Sequence, residues 1–274
     1  MILAIETSCD DTCAAVVDSA GRIRSNVISS QGIHDRYGGV VPEIASRQHL
    51  DLVGRAVDDA LAQAGVTLPD LGLLAVTRGP GLVAALLVGL ATAKALAAAH
   101  RLPLAAVDHL HGHIAASWLG ESGFEPPFVA LVASGGHTFL ARVDDHGPGF
   151  TVLGQTLDDA AGEAFDKGAR MLGLGYPGGA ALERLARDGD AFAFEFPTAA
   201  RLRGLDFSFA GLKTSLLYRI RDLGERAALA IIAALSVQSS RGGMSSSAPS
   251  WARRARNGPF AATPPPIASR RRPV

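Results

Sequence analysis

The amino-acid sequence predicts an α/β protein made of two lobes of the same βββαβα design, which face each other across a cleft. Residues 2–107 alternate short apolar strands with two long segments of helical periodicity. The same order, three strands and then helices, begins again at Phe128 after Glu125-Pro126-Pro127. Glycine-rich turns follow strands in both halves, and such turns lie at the ligand-binding edge of α/β sheets. The duplication therefore predicts one shared cleft lined by loops from both lobes.

The first lobe is predicted to span residues 1–125. Its strands are expected at 2–7, 14–18, 23–29, 73–77 and 104–107, and its helices at 46–64, 82–100 and 109–119. Ser46 is the expected N-cap of the first helix. The 82–100 segment is apolar but is interrupted by Gly89, Thr92 and Lys94. We therefore predict a buried core helix rather than a membrane span.

The second lobe is predicted to span residues 126–238 and to be incomplete. Its strands are expected at 128–133, 138–143 and 150–157, and its helices at 160–172 and 180–188. Residues 239–274 contain no acidic residue and no apolar periodicity, and from Arg226 onward there are eight arginines. We expect this tail to be disordered. Our hypothesis is a frameshift near codons 236–239, and the alternative is a basic RNA-binding tail.

Two histidines are the sharpest local feature of the sequence. His109 and His113 lie one helical turn apart, so both imidazoles can bind one divalent metal ion, although a structural pair remains the alternative. A zinc metalloprotease of the His-Glu-x-x-His type needs Glu directly after the first histidine. Leu110 occupies that position, which argues against a protease.

Three further segments carry candidate polar groups. Asp10 and Asp11 follow the first strand, where carboxylates can bind a hydrated cation, act as a base, or cap the turn. The turn 134–136 offers backbone N–H groups to an anion, although hairpin turns have similar sequences. In segment 158–167, either of the first two aspartates can cap the helix, and the acids that follow share one face. That face could bind substrate hydroxyls or simply be solvated.

Taken together, residues 1–235 resemble the TsaD family of tRNA adenosine threonylcarbamoyltransferases, whose older name is O-sialoglycoprotein endopeptidase. The segments that carry the resemblance are 5–12, 37–47, 77–82, 109–113, 132–138, 158–167, 176–179 and 205–214. The resemblance implies an actin/hexokinase-like (ASKHA) fold. It also implies an acyl transfer, in which the threonylcarbamoyl group moves from threonylcarbamoyl-AMP to the exocyclic amine of adenosine 37, in tRNAs that read codons beginning with A.

The resemblance also assigns site residues. His109 and His113 would hold one divalent metal ion per subunit, Fe²⁺ by preference, with zinc as the alternative. Asp10 and Asp11 match acidic residues near the reacting centre. The residues that match substrate contacts are Val132, Ala133, Ser134, Gly135, Gly136, Asp166, Gly179 and Glu183.

The implied partners are tRNA, threonylcarbamoyl-AMP, a smaller TsaB-like paralogue and a TsaE-like ATPase. With no signal peptide or membrane span in view, we expect a cytoplasmic protein. The family's Ala-Gly-Gly-Val and Asp-Asn-Gly runs, which supply an adenylate contact and a third metal ligand, do not follow Ser236. We therefore expect weaker metal binding and reduced transfer. The alternative functions are a noncatalytic scaffold paralogue and an ATP-binding, kinase-like relative.

Overall fold

The computed structural model describes most of the first 223 residues. The described residues are 1–118, 125–147, 149–176, 178–187, 193–198, 202 and 204–223. They form two separate β-sheets with associated helices, which confirms the predicted α/β class. The predicted disordered tail, residues 239–274, lies outside the described residues, as does the end of the second predicted lobe.

The first sheet has five strands in the order β3-β2-β1-β4-β5. The strands are β1 (Ile2–Glu6), β2 (Asp11–Val17), β3 (Ile23–Ser30), β4 (Leu73–Gly79) and β5 (Leu104–Asp108). Neighbouring strands β1, β2 and β3 are antiparallel, whereas β1, β4 and β5 run parallel. The carboxyl ends of β1, β4 and β5 therefore meet at one edge, where ligands bind in such sheets.

Helix α1 (Pro42–Ala64) packs on this sheet through a stripe of small and branched side chains. Val53 and Val57 are buried in the same core as Leu3 and Ile5 of β1. The predicted N-cap at Ser46 is wrong, because the helix begins four residues earlier at Pro42 with Val41 as its N-cap. Proline suits the first helical position, since its fixed φ is helical and its missing N–H would be unpaired there anyway.

Helix α2 (Val83–His100) is buried on one face only. Its buried residues are Ala85, Leu86, Gly89, Ala93 and Ala97. Val83 and Leu87 are 74% and 59% exposed, so the predicted buried core helix is buried only in part. By length and composition α2 could cross a membrane, and 28% of it is buried. The buried face is anchored to β1, since the Thr7 hydroxyl donates a hydrogen bond to the Ala85 carbonyl at 2.9 Å.

The second sheet is an antiparallel meander in the order β6-β7-β8. Its strands are β6 (Phe128–Ala133), β7 (Thr138–Val143) and β8 (Thr151–Gln155), and the helices that follow are α4 (Ala161–Met171), α5 (Gly178–Ala186) and α6 (Ala210–Leu223). The predicted restart of three strands followed by helices is thus confirmed within the described residues.

Helix α3 (His109–Ala115) connects the two sheets. It begins directly after β5 and continues into a 3-10 turn over Ala116–Trp118, which is where the described part of this segment stops. Ile114 is 2% exposed and packs against Val132 and Phe139 of the second sheet. The histidines of α3 are therefore held between the edge of the first sheet and the second lobe.

Candidate functional site

The two predicted metal-binding histidines converge on one point. The Asp108 carboxylate caps α3 by accepting hydrogen bonds from the backbone N–H groups of Leu110 and His111, at 2.9 and 3.1 Å. This start places His109 and His113 one turn apart, with their Nε2 atoms 3.1 Å from each other. The structure therefore confirms the shared helix face that the spacing predicts.

Glu6, the last residue of β1, fixes the orientation of His109. Its Oε2 lies 3.0 Å from His109 Nδ1 and accepts a hydrogen bond from the Thr77 hydroxyl at 2.6 Å. The backbone N–H of Ser8 donates to the other carboxylate oxygen. Burial alone raises the pKa of Glu6, but hydrogen bonds from His109, Ser8 and Thr77 outweigh it and lower the pKa to about 2. Glu6 is therefore a carboxylate at neutral pH.

An ionised carboxylate can only accept, so the proton of a neutral His109 ring resides on Nδ1, and Nε2 is left as an acceptor 3.1 Å from His113 Nε2. The hydrogen bond to Glu6 raises the pKa of His109. Burial, followed by the charge of His109, lowers the pKa of His113. A carboxylate behind one imidazole and a neutral second imidazole form an arrangement that suits metal binding.

The donor geometry fits a divalent ion. Imidazole nitrogens bind Zn²⁺ at about 2.0–2.1 Å, so two neighbouring ligands lie about 3 Å apart. The 3.1 Å between the Nε2 atoms of His109 and His113 agrees with this spacing. Within the described ranges, no group of three or more His, Cys, Asp or Glu side chains is arranged to hold a metal. Among these residues the pair therefore offers two donor nitrogens.

A third imidazole, that of His137, interacts electrostatically with the same pair and was not assigned from the sequence. Burial, followed by the charge of His109, lowers its pKa, and His137 in turn contributes to the lowered pKa of His113. His137 directly follows Gly136, the last residue of the predicted substrate turn. The sequence signal that could have identified His137 was its place directly after the glycines of this turn.

Backbone hydrogen bonds to His137 and to α4 hold the turn 134–136 in place. Ser134 N–H donates to the His137 carbonyl at 2.8 Å, and the Ser134 carbonyl accepts from Gly162 N–H at 3.1 Å. A Cβ at Gly162 would lie 2.7 Å from the Ser134 carbonyl carbon and oxygen, so only glycine permits this approach of α4. Gly135 and Gly136 are exposed, whereas Val132 is buried in the core of the second lobe.

The carboxylates of segment 158–167 find hydrogen-bond and ion-pair partners within the protein itself. Asp159 pairs with Lys167 at 3.3 Å and with Lys213 at 2.9 Å. Asp158 accepts hydrogen bonds from the backbone N–H groups of Phe209 and Ala210, at 2.7 and 3.2 Å. The prediction that one of these aspartates caps α4 is wrong, because Asp158 caps α6 instead and Ala160 is the N-cap of α4.

Gly179 and Glu183 lie at the start and in the middle of α5, and Asp166 on α4 contacts the start of that helix. Asp166 accepts hydrogen bonds from the N–H groups of Gly178 and Gly179, at 2.9 and 3.2 Å, so it fixes the first turn of that helix. Glu183 is exposed and pairs with Arg187 at 3.2 Å one turn later. Asp166 and Gly179 are therefore joined directly by a hydrogen bond, whereas Glu183 lies on an exposed face of α5.

The pKa of Tyr176 responds to acidic residues from both lobes. Burial raises its pKa to about 12, and the negative charges of Asp10 and Asp166 add to the shift. Both carboxylates therefore act electrostatically on one phenol, although they belong to different lobes. Asp10 is half-buried and Asp11 is exposed at the start of β2.

Comparison with known proteins identifies the family. The sequence model described as "TsaD: tRNA N6-adenosine threonylcarbamoyltransferase" matches residues 22–247. The chain belongs to the TsaD family. Membership confirms the expected actin/hexokinase-like fold, and the matched range extends past Ser236, where the resemblance in the sequence was expected to stop.

Relatives within the family are similar over most of the chain. A protein of Syntrophus aciditrophicus named tRNA N6-adenosine threonylcarbamoyltransferase is 56% identical over 229 residues, which are 83% of this chain and 67% of the relative. A protein of the same name from Clostridium perfringens is 54% identical over 219 residues, or 79% of this chain and 64% of the relative. The chain thus spans about two thirds of the length of these relatives.

Solved structures resemble the chain more distantly. YeaZ from Pseudomonas aeruginosa is 23% identical with a TM-score of 0.40, covering 55% of this chain and 63% of its own. An activator of 2-hydroxyisocaproyl-CoA dehydratase from Clostridium difficile is 11% identical with a TM-score of 0.44, covering 89% of this chain and 76% of its own. The family assignment depends on the sequence matches and not on these likenesses.

Proposed function

We propose that this protein transfers the threonylcarbamoyl group from threonylcarbamoyl-AMP to the exocyclic amine of adenosine 37, in tRNAs that read codons beginning with A. The supporting observation is the convergence of His109 and His113, whose Nε2 atoms lie 3.1 Å apart. Family membership supplies the substrate class. The chain would thus be an acyltransferase of tRNA modification.

The reaction forms a bond between the adenosine amine and the carbamoyl carbon and breaks the bond from that carbon to the adenylate phosphate oxygen. AMP leaves, and the amine loses a proton. Close placement accelerates attack by a weak amine nucleophile, and hydrogen-bond donors held in position stabilise the developing oxyanion. We assign binding of the adenylate to the exposed backbone of Gly135 and Gly136. We assign acceptance of the amine proton to the half-buried carboxylate of Asp10.

We assign one divalent metal ion to the Nε2 atoms of His109 and His113, with Fe²⁺ preferred and zinc possible on donor chemistry. When bound, the ion would supply a Lewis acid for the carbamoyl or threonyl oxygens. Glu6 would keep His109 in the ligating tautomer, and the lowered pKa of His113 would keep that ring neutral near pH 7.

Transfer to a defined tRNA tests the proposal. The protein, together with a TsaB-like paralogue and a TsaE-like ATPase, is incubated with threonylcarbamoyl-AMP carrying labelled threonine and with a tRNA transcript that has adenosine at position 37. We expect label in this transcript and none in one carrying guanosine there. Equal labelling of both transcripts, or no label in either, would refute the assignment.

A partner of similar fold is the second part of the proposal, and an exposed apolar surface on α2 supports it. Val83 and Leu87 are 74% and 59% exposed, and Leu50 of the neighbouring α1 is 69% exposed. Apolar side chains of this size on adjacent helices are typical of protein interfaces. We propose that this surface binds the TsaB-like paralogue in the cytoplasm, where tRNA is also found.

Leu87→Asp is expected to weaken this binding at least about ten-fold, because a charge in a desolvated apolar interface is unfavourable. Sedimentation equilibrium of the protein with its paralogue measures the affinity. Ile28→Asp is the matched control, since Ile28 is equally exposed at 59% but lies on β3. Unchanged affinity for Leu87→Asp, or an equal loss in both variants, would contradict the proposed surface.

A further inference from the structure

The short turn between β1 and β2 carries Asp10 and leads into Asp11, the first residue of β2, and three different elements hold its backbone. The Ser8 carbonyl accepts a hydrogen bond from Leu82 N–H at 2.8 Å, at the start of α2. The Asp10 carbonyl accepts from Gln31 N–H at 3.1 Å, just after β3. Between them, the Cys9 carbonyl lies 3.0 Å from Nε2 of His49 on α1. His49 is the side-chain anchor among these three.

His49 is fully buried, with a relative exposure of 0%. A carbonyl can only accept, so Nε2 carries the proton and donates it to Cys9. Nδ1 is then the acceptor of the Thr12 hydroxyl, 2.8 Å away. Both ring nitrogens are thus used, and they bind the two ends of the turn, Cys9 before the aspartates and Thr12 after them.

A second buried histidine supports the neighbouring anchor. Val41 N–H donates to His34 Nδ1 at 3.3 Å, which leaves the ring proton on Nε2 to bind the Gln31 side-chain oxygen at 2.9 Å. The Gln31 side-chain nitrogen donates to the Ala45 carbonyl at 3.3 Å. Gln31, whose backbone holds Asp10, is therefore itself fixed to the start of α1.

We infer that His49 is a positioning residue for the aspartates of this turn, acting through its hydrogen bond to the Cys9 carbonyl. A buried polar side chain with both nitrogens satisfied rigidifies the backbone that it holds. A small displacement of a reacting group lowers a rate steeply. The kinetic consequence depends on the proposed transfer reaction, whereas the structural consequence does not.

Two variants of similar size separate the two hydrogen bonds of His49. In His49→Gln the amide nitrogen reaches the position of imidazole Nε2 and keeps the donor to Cys9. In His49→Asn it reaches only the position of Nδ1, so the Cys9 carbonyl loses its donor. We expect the Gln variant to retain most of the transfer rate. The Asn variant should lose about ten-fold in kcat, with KM for threonylcarbamoyl-AMP within about two-fold.

Amide hydrogen exchange at Gln31 measures how often the turn opens, because that N–H donates to the Asp10 carbonyl. This measurement does not depend on activity. We expect exchange to be about ten-fold faster in His49→Asn than in His49→Gln, at temperatures where thermal denaturation shows both folded. Equal exchange in the two variants would overturn the inference. If exchange differs as expected but no variant or wild-type protein transfers, the positioning role stands and the proposed function fails.

Discussion

His113→Ala is expected to lower the affinity for a divalent metal ion by at least about 100-fold, because one of two converging imidazole donors is lost. The Nε2 atoms of His109 and His113 are 3.1 Å apart, and within the described ranges no third His, Cys, Asp or Glu completes a set with them. Competition with a chromophoric chelator measures the affinity, and the transfer assay should show a comparable loss.

His111→Phe is the matched control for this change. His111 lies on the same helix, but its ring packs edge-on to Trp118, with centroids 6.0 Å apart, and an aromatic replacement keeps that contact. Metal affinity should stay within about two-fold of wild type in this variant. Equal affinity in the wild type and in His113→Ala would mean that the histidine pair is only a structural contact.

Glu6→Gln is expected to weaken metal binding by about 10–100-fold, the range found when the hydrogen-bonding partner of a ligating histidine is lost. The carboxylate accepts from His109 Nδ1 at 3.0 Å and from Thr77 at 2.6 Å. Without its charge, the raised pKa of His109 should fall toward or below its ordinary value, because the hydrogen bond to Glu6 is the main cause of the shift.

Nuclear magnetic resonance titration of the His109 ring in the metal-free protein measures that pKa, and chelator competition measures the metal affinity. Glu43→Gln, an exposed carboxylate in the first turn of α1, removes the same charge away from the site and should change neither quantity. A His109 pKa that is the same in Glu6→Gln and wild type would show that Glu6 does not control the ring.

Much of the fold followed from local pattern. Strands β6 and β7 have the predicted bounds, 128–133 and 138–143, because alternating apolar residues next to glycine turns encode extended backbone directly. Helix ends were less predictable. The start of α1 moved from Ser46 to Pro42, because proline at the first helical position outweighed a serine that looked like a cap.

Part of the candidate site could likewise be predicted from local sequence, and part could not. The spacing of His109 and His113 is a helical property, so the sequence was enough to place both on one face. The contact between Glu6 and His109 was not predicted, because the two residues are 103 positions apart along the chain. The sequence signal for Glu6 was only indirect, as a carboxylate at the carboxyl end of a central strand, where parallel strands gather ligand-binding groups.

The acidic segment shows why residue type alone does not assign a role. Asp158 was a candidate cap for α4, yet it caps α6 from 50 or more residues away, and Asp159 is neutralised by two lysines. Buried and half-buried carboxylates take whichever donors the packing brings to them. Which donors those are depends on how the helices of the second lobe pack together.

The sequence by itself determined the α/β order of strands and helices, the shared helix face of two histidines, and the family, because periodicity and motif spacing are local properties of the chain. Only the tertiary structure decided that Glu6 orients His109 and that His49 anchors the turn of Asp10. These contacts join distant parts of the chain, and they exist because parallel strands and the helices between them end at one common edge.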